Sequence, residues 1–249
     1  MPNKVNIMPM AGEGLRLKKA GYNTPKPLIN LNGKPMFIRS AECMPDADFW
    51  IFITQKKFLD DGKIEKETKK YFKNYKILSV NKLTEGQAST CGLASEYLKQ
   101  DDQVFINACD SYIKFNTDNY KKQIETYDVL VFTTKCKKIH LTNPNAYGWV
   151  RNNKENNLEI SCKKPFNENP IDERPIVGSF FFKKSEFFIN SLDLLFKNKK
   201  KVKNEYYLDV AIEESIKLGL KVGEILVDNY IDLGNYKELE KYDNTDFKR

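Results

Sequence analysis

Short apolar runs separated by polar, amphipathic stretches set the first reading of this chain. Val5 to Met10 is nearly unbroken in its apolar character and predicts a first strand over Lys4 to Pro9. Phe49 to Ile53, Val104 to Cys109 and Val129 to Thr134 are of the same kind, as suits parallel strands buried on both faces. Ile77 to Val80, Ile176 to Lys183 and Val222 to Val227 read as further strands. Between them, Lys34 to Cys43 predicts a helix with Pro35 in its first turn. Charged, amphipathic Gly62 to Asn74 predicts a surface helix. Thr84 to Ala88 introduces a helix running to about Leu98, and others are expected over Ser185 to Phe196, over Tyr206 to Leu218 and from Tyr236. Tyr147 to Asn152 and Asn157 to Cys162 flank an Asn-rich turn and predict a hairpin. Strands alternating with helices over the first half imply an α/β fold, with a mixed, mostly parallel sheet, right-handed crossovers and flanking helices. The second half contributes a small β-rich part. Without a repeat or a long linker, residues 1–249 read as a single domain, its halves meeting near residue 135.

Charge narrows the partners. The 249 residues carry 41 Lys and Arg against 34 Asp and Glu, a net +7 that an anionic substrate would feel. Clusters at Lys69-Lys70, Lys137-Lys138 and Lys197 to Lys203 read as solvated surface, with acidic residues interspersed and no nucleic-acid motif, so no nucleic-acid partner is expected. The five cysteines are scattered without a C-x-x-C pair, which argues for a reducing compartment and against zinc. With no apolar leader and no run of membrane-spanning length, a cytoplasmic protein without a membrane partner is expected. His140, the only histidine, lies in a polar loop, where exposure is the expectation.

Candidate chemistry begins where the first strand ends. After Met10 and Ala11 come Gly12, Gly14 and Arg16, then Lys26 between Pro25 and Pro27. Glycines let backbone N–H groups approach an anion, and the two cations add fixed positive charge. The spacing alone leaves a phosphate cradle and a plain surface turn both open. Asp110, at the carboxyl end of a predicted strand, suits either a metal ligand or a helix cap.

The longer pattern narrows these readings. Gly12-Glu13-Gly14-Leu15-Arg16, Pro25-Lys26-Pro27-Leu28 and Gly33-Lys34-Pro35-Met36 together closely resemble the signature of the sugar-nucleotidyltransferase family, with Leu15 where Ser or Thr is usual. Those enzymes join a nucleoside triphosphate to a phosphorylated metabolite and release pyrophosphate. The resemblance runs from Met8 to about Leu239 and implies a Rossmann-like fold. It implies that Met10, Ala11, Gly12, Gly14 and Asp110 hold the nucleotide, that Glu85, Gly86, Gln87 and Ala88 meet its base, and that Arg16, Lys26 and Lys164 carry the chemistry. Asp110 and Asp232, the latter in Tyr230-Ile231-Asp232-Leu233-Gly234, would bind Mg²⁺. Tyr147, Gly148, Lys163, Lys164, Gly178, Glu205 and Asp209 would border the acceptor, with Lys163 replacing the family's usual Glu. No general base is needed, because a phosphate oxyanion is already a nucleophile. The insert Ala20-Gly21-Tyr22 resembles a branch from capsule and surface-polysaccharide clusters, some of which use CTP and a small phosphorylated acceptor. L-glutamine phosphate suits the added positive charge. A hexose-1-phosphate or phosphocholine acceptor, a silent nucleotide-sensing subunit and a homo-oligomer stay open.

Overall fold

The structure is a computed structural model that describes residues 2–154 and 157–243. The elements follow in order β1 (Lys4–Met10), α1 (Leu15–Lys19), β2 (Asn30–Leu31), β3 (Lys34–Pro35), α2 (Met36–Ala41), β4 (Phe49–Gln55), α3 (Lys63–Tyr71) and β5 (Tyr75–Val80). Next come α4 (Gln87–Gly92), β6 (Gln103–Asn107), β7 (Ser111–Lys114), α5 (Thr117–Thr126), β8 (Val129–Thr133), α6 (Lys138–Thr142), β9 (Trp149–Asn152) and β10 (Leu158–Ser161). The chain then forms β11 (Arg174–Phe182), α7 (Ser185–Lys197), α8 (Leu208–Lys217), β12 (Val222–Leu226), β13 (Asn229–Asp232) and α9 (Tyr236–Asp243).

The main sheet runs β12-β8-β11-β6-β1-β4-β5, with the β9–β10 hairpin attached to the start of β11. β1 pairs in parallel with β4 and β6, β4 with β5, and β8 with β12. β11 is antiparallel to both neighbours and makes the sheet mixed. Successive side chains leave a strand on opposite faces, so each apolar run feeds two cores. Ile51, Ile53, Phe180 and Phe182 pack with α4, α7 and α8, whereas Phe52 and Phe181 pack with α2, α3 and α5. That two-sided burial explains why these runs lack polar alternation. Deleting one such ring, as in Phe181→Ala, removes about 3–5 kcal/mol.

The α/β reading and the mostly parallel sheet are what the structure shows. Several boundaries differ. The helix expected over Lys34 to Cys43 covers only α2, because Lys34 and Pro35 pair with β2 in a small ribbon. The helix expected to reach Leu98 stops at Gly92 and resumes as a short 3₁₀ turn over Ser95–Tyr97. The hairpin pairs Trp149 with Ser161 and Asn152 with Leu158. Glu155 and Asn156 of its turn lie outside the described residues. Among the described residues no helix is long and apolar enough to cross a membrane.

Candidate active site

β1 has β4 on one side and β6 on the other, so the connection from β1 to β4 and the one from β5 back to β6 run in opposite directions across the sheet. In an open α/β sheet this opens a crevice at the carboxyl ends of the strands. The Gly-rich loop leaves the end of β1 there, and the turn carrying Asp110 leaves the end of β6. The topology thus brings together residues 84 positions apart: Lys26 Nζ donates to Asp110 Oδ2 at 2.9 Å.

A buried polar network fixes the Asp110 turn. Asn107, the last residue of β6, donates through Nδ2 to the carbonyls of Ser40 and Ser111, each at 3.1 Å, and accepts from Ser179 Oγ at 2.6 Å. Ser111 Oγ donates to the Val177 carbonyl at 2.6 Å, and Ser40 Oγ to the Cys109 carbonyl at 2.8 Å. A network with every member satisfied is rigid, since each lost bond strands a buried partner. β7 leads away from Asp110 and pairs antiparallel with β13, setting Ser111 opposite Asp232. The second carboxylate therefore reaches the site through this two-stranded ribbon. Gly234 lets the two approach, because a Cβ on it would run into Asp110 Oδ2 and stand 3.0 Å from both Asp232 Oδ1 and Arg16 Nη2. Asp232 Oδ1 accepts from the Gly234 N–H at 3.0 Å, and Arg16 Nη1 lies 3.7 Å from Asp232 Oδ2.

The electrostatics follow from crowding at low exposure. Burial opposes both charges of the first pair, but Asp110 lifts the Lys26 ammonium above its ordinary range and Lys26 holds the Asp110 carboxyl below its own. Asp232 fares differently: burial and the Asp110 charge push its carboxyl up to about 6, against the pull of Arg16. Two carboxylates forced together, one of them poorly compensated, form an oxygen-donor set that a hard cation would satisfy. Among the described residues no group of three or more His, Cys, Asp or Glu side chains could hold a metal ion by itself. Two carboxylates completed by water and substrate phosphate are the usual arrangement for Mg²⁺.

Two cavities meet at this point. The larger, about 540 Å³, is lined by Ala11, Gly12, Gly14, Arg16, Lys26, Gly86, Gln87, Asp110 and Glu205, among others. The smaller, about 150 Å³, takes in Tyr147, Gly148, Lys163, Gly178, Asp209 and Asp232. Arg16, Gln87, Ala108, Asp110 and Tyr207 line both. The structure places several expected site residues elsewhere. Met10 and Ala88 are buried beneath the larger cavity's wall without lining it. Glu85 points outward to Lys201. Glu205, expected beside the acceptor, lines the larger cavity, and Gln87, expected at the base, stands at the junction. Lys164 is exposed and lines neither cavity, whereas Lys163 lines the smaller one. The backbone decides between these lysines: Lys163 has a left-handed φ of 58°, which turns its side chain inward to the Ala146 carbonyl and 5.0 Å over the Tyr207 ring. Tyr207 and Tyr230 line the site without having been singled out in the sequence. Tyr207 lies inside the Glu205-to-Asp209 stretch, so position was the available signal. His140 is not exposed. It is 1% accessible, its Nδ1 accepts from the Lys137 N–H at 2.8 Å, and its ring packs edge-on to Tyr147 at 4.8 Å. Burial, helped by Lys137, holds its pKa down to about 4, so it is a neutral prop behind the smaller cavity.

Close backbone approach shapes that smaller cavity. The pairing of β11 with β8 slips between Ile176 and Phe180, and Gly178 sits in the slip with φ 79°. Such a bulge re-aims a strand; here it lets the Gly178 carbonyl take the Ala108 N–H at 3.1 Å. A Cβ on Gly148 would overlap Asp209 Oδ2 and come within 2.7 Å of its Cγ. Gly148→Ala is therefore expected to cost about 1–3 kcal/mol through overpacking. Urea denaturation checks this, and an unchanged midpoint would show that Asp209 moves aside freely.

No protein-family model matches the chain. Over 215 residues it is 28% identical to the bifunctional protein GlmU of Methanocaldococcus jannaschii, a match covering 85% of this chain and 46% of that protein. The chain thus spans about half the length of this curated relative. A nucleoside-diphosphate-sugar pyrophosphorylase from Vibrio cholerae RC9 superposes with a TM-score of 0.76 at 18% identity, covering 96% of this chain and 100% of that one. The inositol-1-phosphate CTP transferase from T. maritima superposes at 0.70 with 15% identity, covering 96% and 93%. Likeness across nearly the whole of both partners at such identities speaks to architecture. The chain has the mixed α/β fold of these nucleotide-sugar pyrophosphorylases and nucleotidyltransferases.

Proposed function

We propose that the protein is a Mg²⁺-dependent nucleotidylyltransferase that joins CTP to a small phosphorylated acceptor. One observation carries the reading: the larger cavity, rimmed by a Gly-rich loop, meets a smaller one where Arg16, Lys26, Asp110 and Asp232 converge. In the reaction a phosphate oxygen of the acceptor attacks the α-phosphorus of the triphosphate. The bond from that phosphorus to the oxygen bridging the β-phosphorus breaks, and pyrophosphate leaves. Asp110 and Asp232 would hold Mg²⁺, which supplies charge neutralisation at the transferring phosphate. Arg16 and Lys26 neutralise and align the phosphates from the loop side, so catalysis is positioning and electrostatics. The likeness to an inositol-1-phosphate CTP transferase is compatible with CTP as donor.

The acceptor is proposed to be L-glutamine phosphate, giving CDP-L-glutamine and pyrophosphate in capsular polysaccharide modification. Beyond Arg16, Asp110 and Asp232 at the junction, the smaller cavity, at about 150 Å³, carries one lysine and one buried carboxyl group, Lys163 and Asp209. Those charges suit an acceptor bearing phosphate, carboxylate and ammonium better than a ring of neutral hydroxyls. Lys163, rather than Lys164, is assigned the acceptor contact.

Pyrophosphate release from CTP, UTP, ATP and GTP, each with L-glutamine phosphate, phosphocholine or glucose-1-phosphate, tests both levels. CTP with L-glutamine phosphate is expected to give the highest kcat/KM. Preference for glucose-1-phosphate would remove the amino-acid acceptor and keep the transferase, whereas no release with any pair would favour a nucleotide sensor. Lys163→Ala should lower kcat/KM for the acceptor by about tenfold or more, and Lys164→Ala by less. Equal effects would return Lys164 to the site.

A further inference from the structure

The larger cavity is lined by three carboxylates, and two of them are already neutralised. Lys26 meets Asp110, while Lys18 and Lys57 meet Glu13 at 3.0 and 2.7 Å. Glu205 is the third. Its carboxylate lies near the Tyr207 side chain and has no ion-pair partner among the described residues. Glu205 itself lines the larger cavity and not the smaller one: the site of a Cβ on Gly86 lies 3.0 Å from Glu205 Cβ, and Leu83 and Thr84 line the same cavity. The two loops are stitched together, with the Tyr206 N–H donating to the Glu85 carbonyl at 2.7 Å and the Ala88 N–H to the Tyr206 carbonyl at 3.0 Å. Glu205 is absent from the residues shared with the smaller cavity, where Gln87 stands instead.

An unneutralised carboxylate beside the seat of a polyanion is repulsive unless the ligand brings a hydrogen-bond donor to it. A nucleoside triphosphate carries donors only on its base and ribose. Leu83, 55% exposed on the same cavity, offers apolar surface for a planar ring. We infer that Glu205 selects the base, its carboxylate accepting from the exocyclic amino group of cytosine. The inference rests on the CTP reading above and names the residue that would enforce it. Uracil presents a carbonyl oxygen at that position, so the same side chain attracts one pyrimidine and repels the other.

Equilibrium binding of CTP, UTP and 2′-deoxy-CTP in the presence of Mg²⁺, with pyrophosphate release alongside, tests this on wild type, Glu205→Gln and Glu205→Ala. Wild type is expected to bind CTP more tightly than UTP. In both variants the CTP-over-UTP ratio should fall by about tenfold or more, while the ratio of CTP to 2′-deoxy-CTP stays put. A wild type without base preference, or a variant ratio within about twofold of the wild-type value, overturns the assignment. So does a change confined to the deoxy comparison, which would give the carboxylate to the ribose. If wild type binds nucleotides but releases no pyrophosphate with any acceptor, the transferase reading fails while the binding ratios still decide Glu205.

Discussion

Asp110→Asn is expected to lower kcat by about two orders of magnitude or more, the scale seen when one preorganised electrostatic contact to a transition state is lost. Among the described residues Asp110 is the one carboxylate that lines both cavities. The amide keeps the volume and removes the charge. It also leaves the Lys26 ammonium without its 2.9 Å partner, with both side chains only 16% exposed. Breaking such a pair from one side strands the other charge, and with this residual solvent access the cost should be about 1–3 kcal/mol. A double variant, Lys26→Met with Asp110→Asn, separates structure from chemistry: it should recover most of the lost stability and none of the lost activity. Near-native turnover of Asp110→Asn with Mg²⁺ would take Asp110 out of the mechanism.

The elements legible in the sequence were those whose burial is complete. β4 and β8 are apolar along their length because helices cover both faces, and such a run needs no partner to be recognised. The β7–β13 ribbon gave no comparable signal. Each strand has four residues, and their pairing joins Ser111 to Asp232 across more than a hundred positions, so nothing local marks it. Yet that ribbon delivers the second carboxylate. The same limit applies to side-chain direction. Lys163 and Lys164 are chemically identical in sequence, and a single left-handed φ decides which one faces the cavity. Glu205 and Asp209 lie four residues apart and line different cavities, because Glu205 precedes α8 while Asp209 lies within its first turn. His140 looked like a surface residue because its neighbours in sequence are polar, but its neighbours in space are Tyr147 and Tyr230.

Asp232→Asn is expected to give a more stable and far less active protein. In the native state the Asp232 carboxyl is raised from 3.8 to about 6 by burial and by Asp110, so its charged form is tolerated poorly. A raised native pKa means that this group's contribution to stability is present below about pH 4 and is lost as pH rises through about 6. At neutral pH the ionised side chain therefore works against the fold, by about 1–3 kcal/mol for a shift of this size in a coupled pair. An uncharged amide of the same shape removes that cost. With chelator and without nucleotide, wild type should gain stability from pH 7 to pH 5 relative to Asp232→Asn, and the variant should have the higher Tm at pH 7. With Mg²⁺ and both substrates its kcat should be lower by about two orders of magnitude, since one of the two carboxylates proposed to hold the cation is gone. Stability withheld from the ligand-free state and returned on binding is a common trade at active sites. A variant less stable than wild type at pH 7 would show that Arg16, 3.7 Å away, already compensates the charge, and the case for a cation at this point would then rest on Asp110 alone.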